Sequence, residues 1–404
     1  LRNVLSAVVN KPVCVLRKSA CSSKLFFCEE WLRVVSMTKN IKKLTLKDVA
    51  ERLAVSTATI SNAFNRPDQL SATLRENILS ECEKMGYFGP NAAARSLRTG
   101  RTGIVGIVLS DDLSYSLTDP VANQFLKGMA EVFEANEYNM LLLSSDQVEQ
   151  DAQSRMQSSM VDGFIVYGHK PQQCINAPWL MPNKNIITVD SFIPGTTSVN
   201  IENHSGAYRI ACHALQHKPS AVAILGLSLL ATDRVCRIRE DELFDRAASI
   251  SIQRLYGYFQ ALEEHQLSVA SEHIWNIPEN NHKLAYQAAR EALTMAERPQ
   301  LLLCMSDCIA IAAIQAALHM GLRVPEDLQV VGFDGIAEGG NIHPSITTIH
   351  QHTVEKGRVA AEVFLGLREA KDVVLETELV VRESCPSIDA SMLVESKRIR
   401  SVLA

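Results

Sequence analysis

Apolar residues recur along this chain with two different periods. Between Thr45 and Gly86 they return every three or four positions in three short runs, the spacing of amphipathic helices. From Ile104 onward, apolar runs of strand length alternate with helical stretches. GIVGIVL, NMLLLS, GFIVYG and NIITVD frame helices near 121–136 and 150–160. A second set has AVAILG, HIWNI, LLLCMSD and LQVVGFD among helices near 205–217, 252–265, 283–296 and 309–320. Such alternation predicts parallel sheets covered on both faces, here in two successive lobes.

The N-terminal runs resolve into three helices. Thr45 and Asp48 have the spacing of a capping box at the start of LTLKDVAERLAV, with Leu46, Val49, Ala50 and Leu53 on one face. Ser56 caps a second helix that turns Val55, Ile60, Ala63 and Phe64 inward and leaves Thr57, Ala58, Ser61 and Asn62 outside. A third begins near Ser71, with Thr73 and Glu76 as a further capping box. It carries Leu74, Ile78, Cys82 and Met85 inward and stops at Gly86. Two helices joined by a short turn, with a third closing the core, form a helix-turn-helix unit.

The outer face of the second helix is small and uncharged, which suits close approach to base edges in a major groove. Thr57 and Ala58 match thymine methyls, and Asn62 can pair bidentately with adenine. Lys42, Lys43, Lys47 and Arg66 are positioned to hold phosphates. The charge distribution agrees. The formal net charge is -5, yet residues 38–103 carry 11 Lys and Arg against 6 Asp and Glu, while the remainder from Ile104 carries 23 against 37. A basic head on an acidic body implies a polyanion partner for the head alone.

At 404 residues and 47% hydrophobic content the chain is long enough for two or three domains. It has no run of about 18 apolar residues of the kind that spans a membrane. The first residues lack the pattern of a signal peptide, and ten cysteines are scattered without a C-x-x-C pair, so a cytoplasmic protein with free thiols is expected. Residues 1–37 show no periodicity and, ending at Met37, read as an extension translated from too early a codon. Nothing near Cys304 and Cys308 completes a zinc site, and the eleven histidines have no partner at a useful spacing, so neither metal nor cofactor is expected. Phosphate-loop, dinucleotide-binding, zinc-protease and nucleophile-elbow motifs are absent, which argues against an enzyme.

Two stretches, LTLKDVAERLAVSTATISNAFN and YFGPNAAARSLRTGRTGIVGIVL, resemble the head and joint of the lactose-repressor (LacI) family of bacterial transcription regulators. The head signature is carried by Thr45, Asp48, Val49, Ala50, Val55, Ser56, Thr59, Ile60, Ser61 and Asn65, with Leu53 where the family more often has Ala. The resemblance runs from about 44 to 385. It implies an α/β protein with an N-terminal three-helix helix-turn-helix head and a hinge helix. A two-lobed, periplasmic-binding-protein-like core of two parallel α/β sheets would follow. The implied domains are a head over 38–90, a hinge and linker over 91–103, an effector-binding and dimerisation core over 104–385, and a tail over 386–404.

By that resemblance, operator DNA would be contacted by Thr45, Ser56, Thr57, Ala58, Thr59, Ser61, Asn62 and Asn65. Asn91, Ala94, Arg95, Leu97 and Arg98 of the hinge would join them, with Leu97 as a minor-groove wedge. AAARSL favours helix but is too short to hold one alone, so it would order on DNA. In open α/β sheets ligands lie beyond the carboxyl ends of strands, where Asp190, Ser306, Asp307 and Asp334 fall. The implied effector contacts are Tyr115, Asp119, Asp190, Arg254, Trp275, Ser306 and Asp334, a set that suits a sugar. Asp307 reads as a helix cap or turn residue.

Two departures stand out. Ser306 occupies a position commonly Asn, and LSLLATDRVCRIREDELFDRAAS, over 227–249, is a long charged connection expected to cover part of the cleft. The expected partners are a palindromic double-stranded operator, a sugar effector and a second copy of the chain, in a repressor whose operator affinity the effector controls. The tail lacks the heptads of a tetramerising coiled coil. An exported sugar-binding protein is the alternative with the same two-lobed core.

Overall fold

The structure, a computed structural model, describes residues 44–89, 100–144, 160–168, 184–191, 193–239 and 249–388. The expected hinge helix, Lys42, Lys43, the first 37 residues, the helix near 150–160 and most of the tail lie outside them. The chain divides into two units, 1–98 and 99–404.

In the first unit, α1 is Leu46–Arg52, α2 is Thr57–Asn65 and α3 is Ala72–Lys84. The capping box at Thr45 forms in both directions: its N–H donates to the Asp48 carboxylate at 2.8 Å, and the Asp48 N–H donates to its hydroxyl at 3.3 Å. Ser56 caps α2 by accepting the Thr59 N–H at 3.0 Å. The third cap differs from the expectation. Ser71 accepts the Leu74 N–H at 3.4 Å, so α3 starts before the Thr73 and Glu76 pair and that box does not open it. Val49, Ala50, Ile60, Ala63, Ile78, Cys82 and Tyr87 make the core. Leu74, expected inward, is 40% exposed, since the buried stripe of α3 comprises Ile78 and Cys82. Arg75 Nε donates to the Ala63 carbonyl at 3.0 Å and ties α3 to α2.

The second unit begins with β1 (Ile104–Leu109), α4 (Leu113–Ser116), α5 (Pro120–Ala135), β2 (Asn139–Ser144), β3 (Gly163–Tyr167), β4 (Asn185–Val189) and β5 (Thr197–Ile201). It continues through α6 (Asn203–Leu215), β6 (Val222–Leu227), β7 (Cys236–Arg237), α7 (Ile250–Glu264), β8 (Ile274–Ile277), α8 (His282–Leu293) and β9 (Leu301–Cys304). Last come α9 (Asp307–His319), β10 (Gln329–Val331), α10 (Ala337–Asn341), β11 (Thr348–His350), α11 (Thr353–Leu365), β12 (Val373–Leu375) and β13 (Glu378–Val380).

Two sheets result. The first-lobe sheet has the order β12-β5-β4-β3-β1-β2, with every pairing parallel. The second-lobe sheet has the order β10-β9-β6-β8-β7, parallel except for its β7 edge. That edge strand lies within the charged connection over 227–249, whose Leu229 and Ile238 are buried in the second-lobe core. Half of the connection is therefore part of the fold, and residues 240–248 fall outside the described set.

The lobes are not successive, as the alternation predicts, because the chain returns to the first lobe after β11. Val359, Ala360, Ala361, Val363 and Phe364 of α11 belong to the first-lobe core, and β12 extends the first sheet beside β5. Backbone contact allows this return. A Cβ on Gly128 of α5 would lie 1.9 Å from the Val354 carbonyl oxygen, and one on Gly357 of α11 would lie 2.3 Å from that of Phe125. Three strands of chain thus cross between lobes, at 201–203, 350–353 and 375–378. The antiparallel β11 and β13 pair holds two of them together.

Candidate functional site

The first unit presents α2 with Thr57 and Ala58 exposed, as the helical pattern predicts, whereas Ser61 and Asn62, also expected outside, are half-buried. Several nominated side chains also shape the helix itself. The Ser56 and Thr59 hydroxyls hydrogen-bond each other at 2.8 Å, the Thr45 hydroxyl donates to Asp48 at 2.8 Å, and Asn65 Nδ2 donates to the Ser61 carbonyl at 2.9 Å. Thr57 and Asn62 have no side-chain partner among the described residues, which leaves them available to an external surface. Lys47 of α1 and Arg66 at the C-terminal end of α2 are exposed. The five hinge candidates, Asn91, Ala94, Arg95, Leu97 and Arg98, lie outside the described residues.

In the second unit the strand ends of the two lobes bring together most of the nominated effector residues. Asp190 follows β4 and Asp334 follows β10, and both have positive φ, at 52° and 132°. Non-glycine residues avoid that region unless the surroundings impose it, and such strain gathers at binding sites. Asp190 and Lys356 of α11 form an ion pair in which their side chains are 7% and 0% exposed. The second Asp190 carboxylate oxygen, Oδ1, is buried without a hydrogen-bond partner among the described residues.

Arg254 of α7 is held from three sides. Its Nε donates to Asn203 Oδ1 at 3.0 Å, one terminal nitrogen donates to the Met305 carbonyl at 2.7 Å, and the guanidinium sits 3.6 Å from the Phe333 ring centroid. From there it faces Asp334 at 3.5 Å. The close passage of α7 by α6 needs Gly257, because a Cβ there would lie 2.4 Å from the His204 carbonyl oxygen. Burial raises the Asp334 carboxyl well above its usual range, opposed by the Arg254 charge. Asp307 does not cap α9: Ser306 does, accepting the Ile309 N–H at 3.1 Å. Asp307 instead accepts from the N–H groups of Gly335 and Ile336 at 2.8 and 2.9 Å and from the Thr348 hydroxyl at 2.5 Å, fixing the turn that carries Asp334. Burial pushes the Asp307 carboxyl up to about 6 against those donors.

Two hydrogen-bonded bridges cross between the lobes. In the first, Gln351 Nε2 donates to Asp334 at 2.8 Å while its Oε1 accepts from Lys356 at 3.1 Å. In the second, the Tyr115 hydroxyl donates to the Asn280 carbonyl at 3.2 Å, and Ser306 Oγ donates to Asn280 Oδ1 at 2.5 Å. Asp119 caps α5 by accepting the Ala122 N–H at 2.9 Å, and burial raises its pKa. Trp275 does not join these residues. It is fully buried in the second-lobe core among the alanines of α8 and α9, with Nε1 donating to Glu291 at 3.4 Å and Arg237 5.5 Å over its ring. It is a core residue, because β8 is covered on both faces and Trp275 lies inside the strand rather than beyond its end.

Gln351, Lys356, Asn203 and Asn280 are additions that the sequence reading does not name. Lys356 carried a signal: with Val359, Ala360 and Val363 it forms a helical stripe on which a charge has no solvent. No comparable pattern marks the other three.

Residues 235–385 match the Periplasmic binding protein-like domain family. A helix-turn-helix unit on the same chain as such a body defines a DNA-binding transcription regulator. The chain is 31% identical over 348 residues to the HTH-type transcriptional regulator Rv3575c of Mycobacterium tuberculosis, covering 84% of this chain and 96% of that protein. It is 29% identical over 343 residues to the HTH-type transcriptional regulator IpsA of Corynebacterium glutamicum, covering 83% and 94%. Its fold is shared with the lac repressor dimer bound to operator and the anti-inducer ONPF, at a TM-score of 0.67 and 21% identity over 86% of this chain and 100% of that one. It is shared also with the CelR–cellobiose complex, at a TM-score of 0.58 and 22% identity over 84% and 99%. The chain belongs to the LacI family of HTH-type transcriptional regulators.

Proposed function

We propose that this regulator is a homodimeric repressor that binds a palindromic operator and releases it when an uncharged, hydroxyl-rich effector, a sugar, enters the cleft between its lobes. The buried, unpartnered Oδ1 of Asp190 carries the effector reading. An acceptor withheld from water without a donor costs about 1–3 kcal/mol, and a ligand hydroxyl supplies that donor. The surrounding charges favour a neutral ligand: Arg254 and Lys356 are already engaged by Asp334 and Asp190, so neither is free to hold the phosphate of a sugar ester. Tyr115, Asp119, Asp190, Arg254, Ser306 and Asp334 remain the proposed effector residues, joined by Lys356, while Gln351, whose amide is engaged at both ends, links the lobes.

On the DNA side, Thr57, Ala58 and Asn62 would read bases, while Lys47 and Arg66 hold phosphates. The lac repressor neighbour, a dimer on operator DNA, and the cellobiose complex of CelR support this arrangement. The effector acts by preferring one setting of the lobes, which alters operator affinity by its differential binding energy. The relatives are transcription regulators, in keeping with a binding rather than a catalytic role.

Thermal-shift screening of neutral mono- and disaccharides against their phosphates tests the cleft. A neutral sugar should raise the melting temperature of the wild type and lose that effect in Asp190→Asn. Stabilisation by phosphorylated sugars alone would contradict the reading.

A further inference from the structure

Outside the cleft, the pairing of β11 with β13 sets His350 opposite Glu378, and His352 follows two residues later. These residues are 28 apart along the chain, so their meeting is a product of topology. One potential ligand atom from each of His350, His352 and Glu378 lies within 4.8 Å of the others. The two imidazoles meet edge to face with centroids 4.4 Å apart. His352 has φ of 49°, a left-handed conformation that a residue other than glycine adopts only under constraint. His350 is seated so closely on Gly335 that a Cβ there would lie 2.5 Å from its Cδ2. Its Nδ1 accepts the His352 N–H in a long contact of 3.3 Å, a weak bond for a metal to replace.

We propose that His350, His352 and Glu378 bind one divalent transition-metal ion of the zinc type, with water completing its coordination. Two imidazole nitrogens and a carboxylate are a borderline-soft set that suits zinc, cobalt or nickel rather than calcium or magnesium. Zinc–ligand bonds of about 2.1 Å place neighbouring ligand atoms about 3.4 Å apart, so from separations within 4.8 Å the trio closes by at most about 1.4 Å. Rotation of Glu378, whose side chain is exposed, provides that closure and an entry path. The cation of Arg382 is engaged with the Ile346 carbonyl at 2.8 Å.

The location gives the ion a role. It clamps two of the three chain segments that cross between the lobes. One of them is bonded directly to the cleft: the Asp334 N–H donates to the Ile349 carbonyl at 2.8 Å, and the Gln351 N–H donates to the Asp334 carbonyl at 3.3 Å. Metal binding therefore biases the lobe setting through residues other than those proposed to hold the effector, and by linkage alters effector affinity in turn.

The full-length chain, stripped with chelator, is titrated with cobalt(II) followed by visible absorption and with zinc(II) followed by calorimetry. The expected result is one ion per chain, with nitrogen and oxygen ligand-field bands and no thiolate charge-transfer band. His352→Asn, which tolerates the left-handed backbone, and Glu378→Gln should each weaken binding tenfold or more without changing the melting temperature of the metal-free protein. Absence of saturable binding, a thiolate band, or affinity unchanged in both variants would overturn the proposal. None of these readouts involves DNA or sugar, so their failure is distinct from failure of the repressor reading.

Discussion

Gln351 donates its side-chain amide to Asp334 at 2.8 Å from a segment that crosses between the lobes. The same amide accepts from Lys356 at 3.1 Å, so one side chain joins the buried charges of the second lobe to those of the first. Such a link transmits a change at one lobe only if it has partners in both.

Gln351→Leu should therefore separate binding from response. Operator affinity without effector is expected to stay near wild type, while the effector concentration for half-release rises about tenfold or more, equivalent to about 1.4 kcal/mol of lost coupling. Fluorescence anisotropy of labelled operator against effector measures both.

The Lys356 and Asp190 pair is buried on both sides. Removing one partner leaves an uncompensated charge, so Lys356→Met is expected to cost about 3–5 kcal/mol, while Lys356→Met with Asp190→Asn recovers most of it. Urea denaturation of the two single variants and the double variant gives the coupling energy.

The Asp307 carboxyl titrates near pH 6 in the folded protein, against about 4 in an unfolded chain. The folded state therefore binds more protons in that interval. Stability from this group is fully present below about pH 4 and is lost as pH rises through about 6. The raised Asp334 carboxyl acts in the same direction. Chemical denaturation between pH 4.5 and 7 should show a smaller fall of stability with rising pH in Asp307→Asn than in the wild type. Asp327, held at about 2 by Arg323, titrates below this window.

Trp275 is a packing residue. Trp275→Ala should cost about 3–5 kcal/mol, and Trp275→Phe should leave the effector response unchanged once the protein is folded. A loss of effector affinity in the folded Phe variant would return Trp275 to the cleft.

Local chemistry was the most legible part of the fold. The caps at Thr45 and Ser56, the stop at Gly86 and the acids following β4 and β10 follow from spacing and side-chain type. The position of Trp275 was not legible, because a parallel strand covered on both faces gives no alternation to tell core from cleft. Nor did the pattern assign α11 to a lobe, since an apolar helical stripe specifies that a helix packs but not against what. That assignment depends on Gly128 and Gly357, whose pairing is visible only in three dimensions. Gln351 was hidden for a related reason: its role comes from two partners distant in chemistry, and its own neighbourhood of HQHT carries no periodic signal.

The most direct measurement is binding of the purified full-length chain to palindromic duplexes from upstream of its own gene, against random duplex, at low salt and with neutral sugars added. We expect a clear preference for one palindrome, its release by a sugar, and a loss of about 1–3 kcal/mol of discrimination in Asn62→Ala with non-specific binding unchanged. Equal affinity for every duplex would contradict the account.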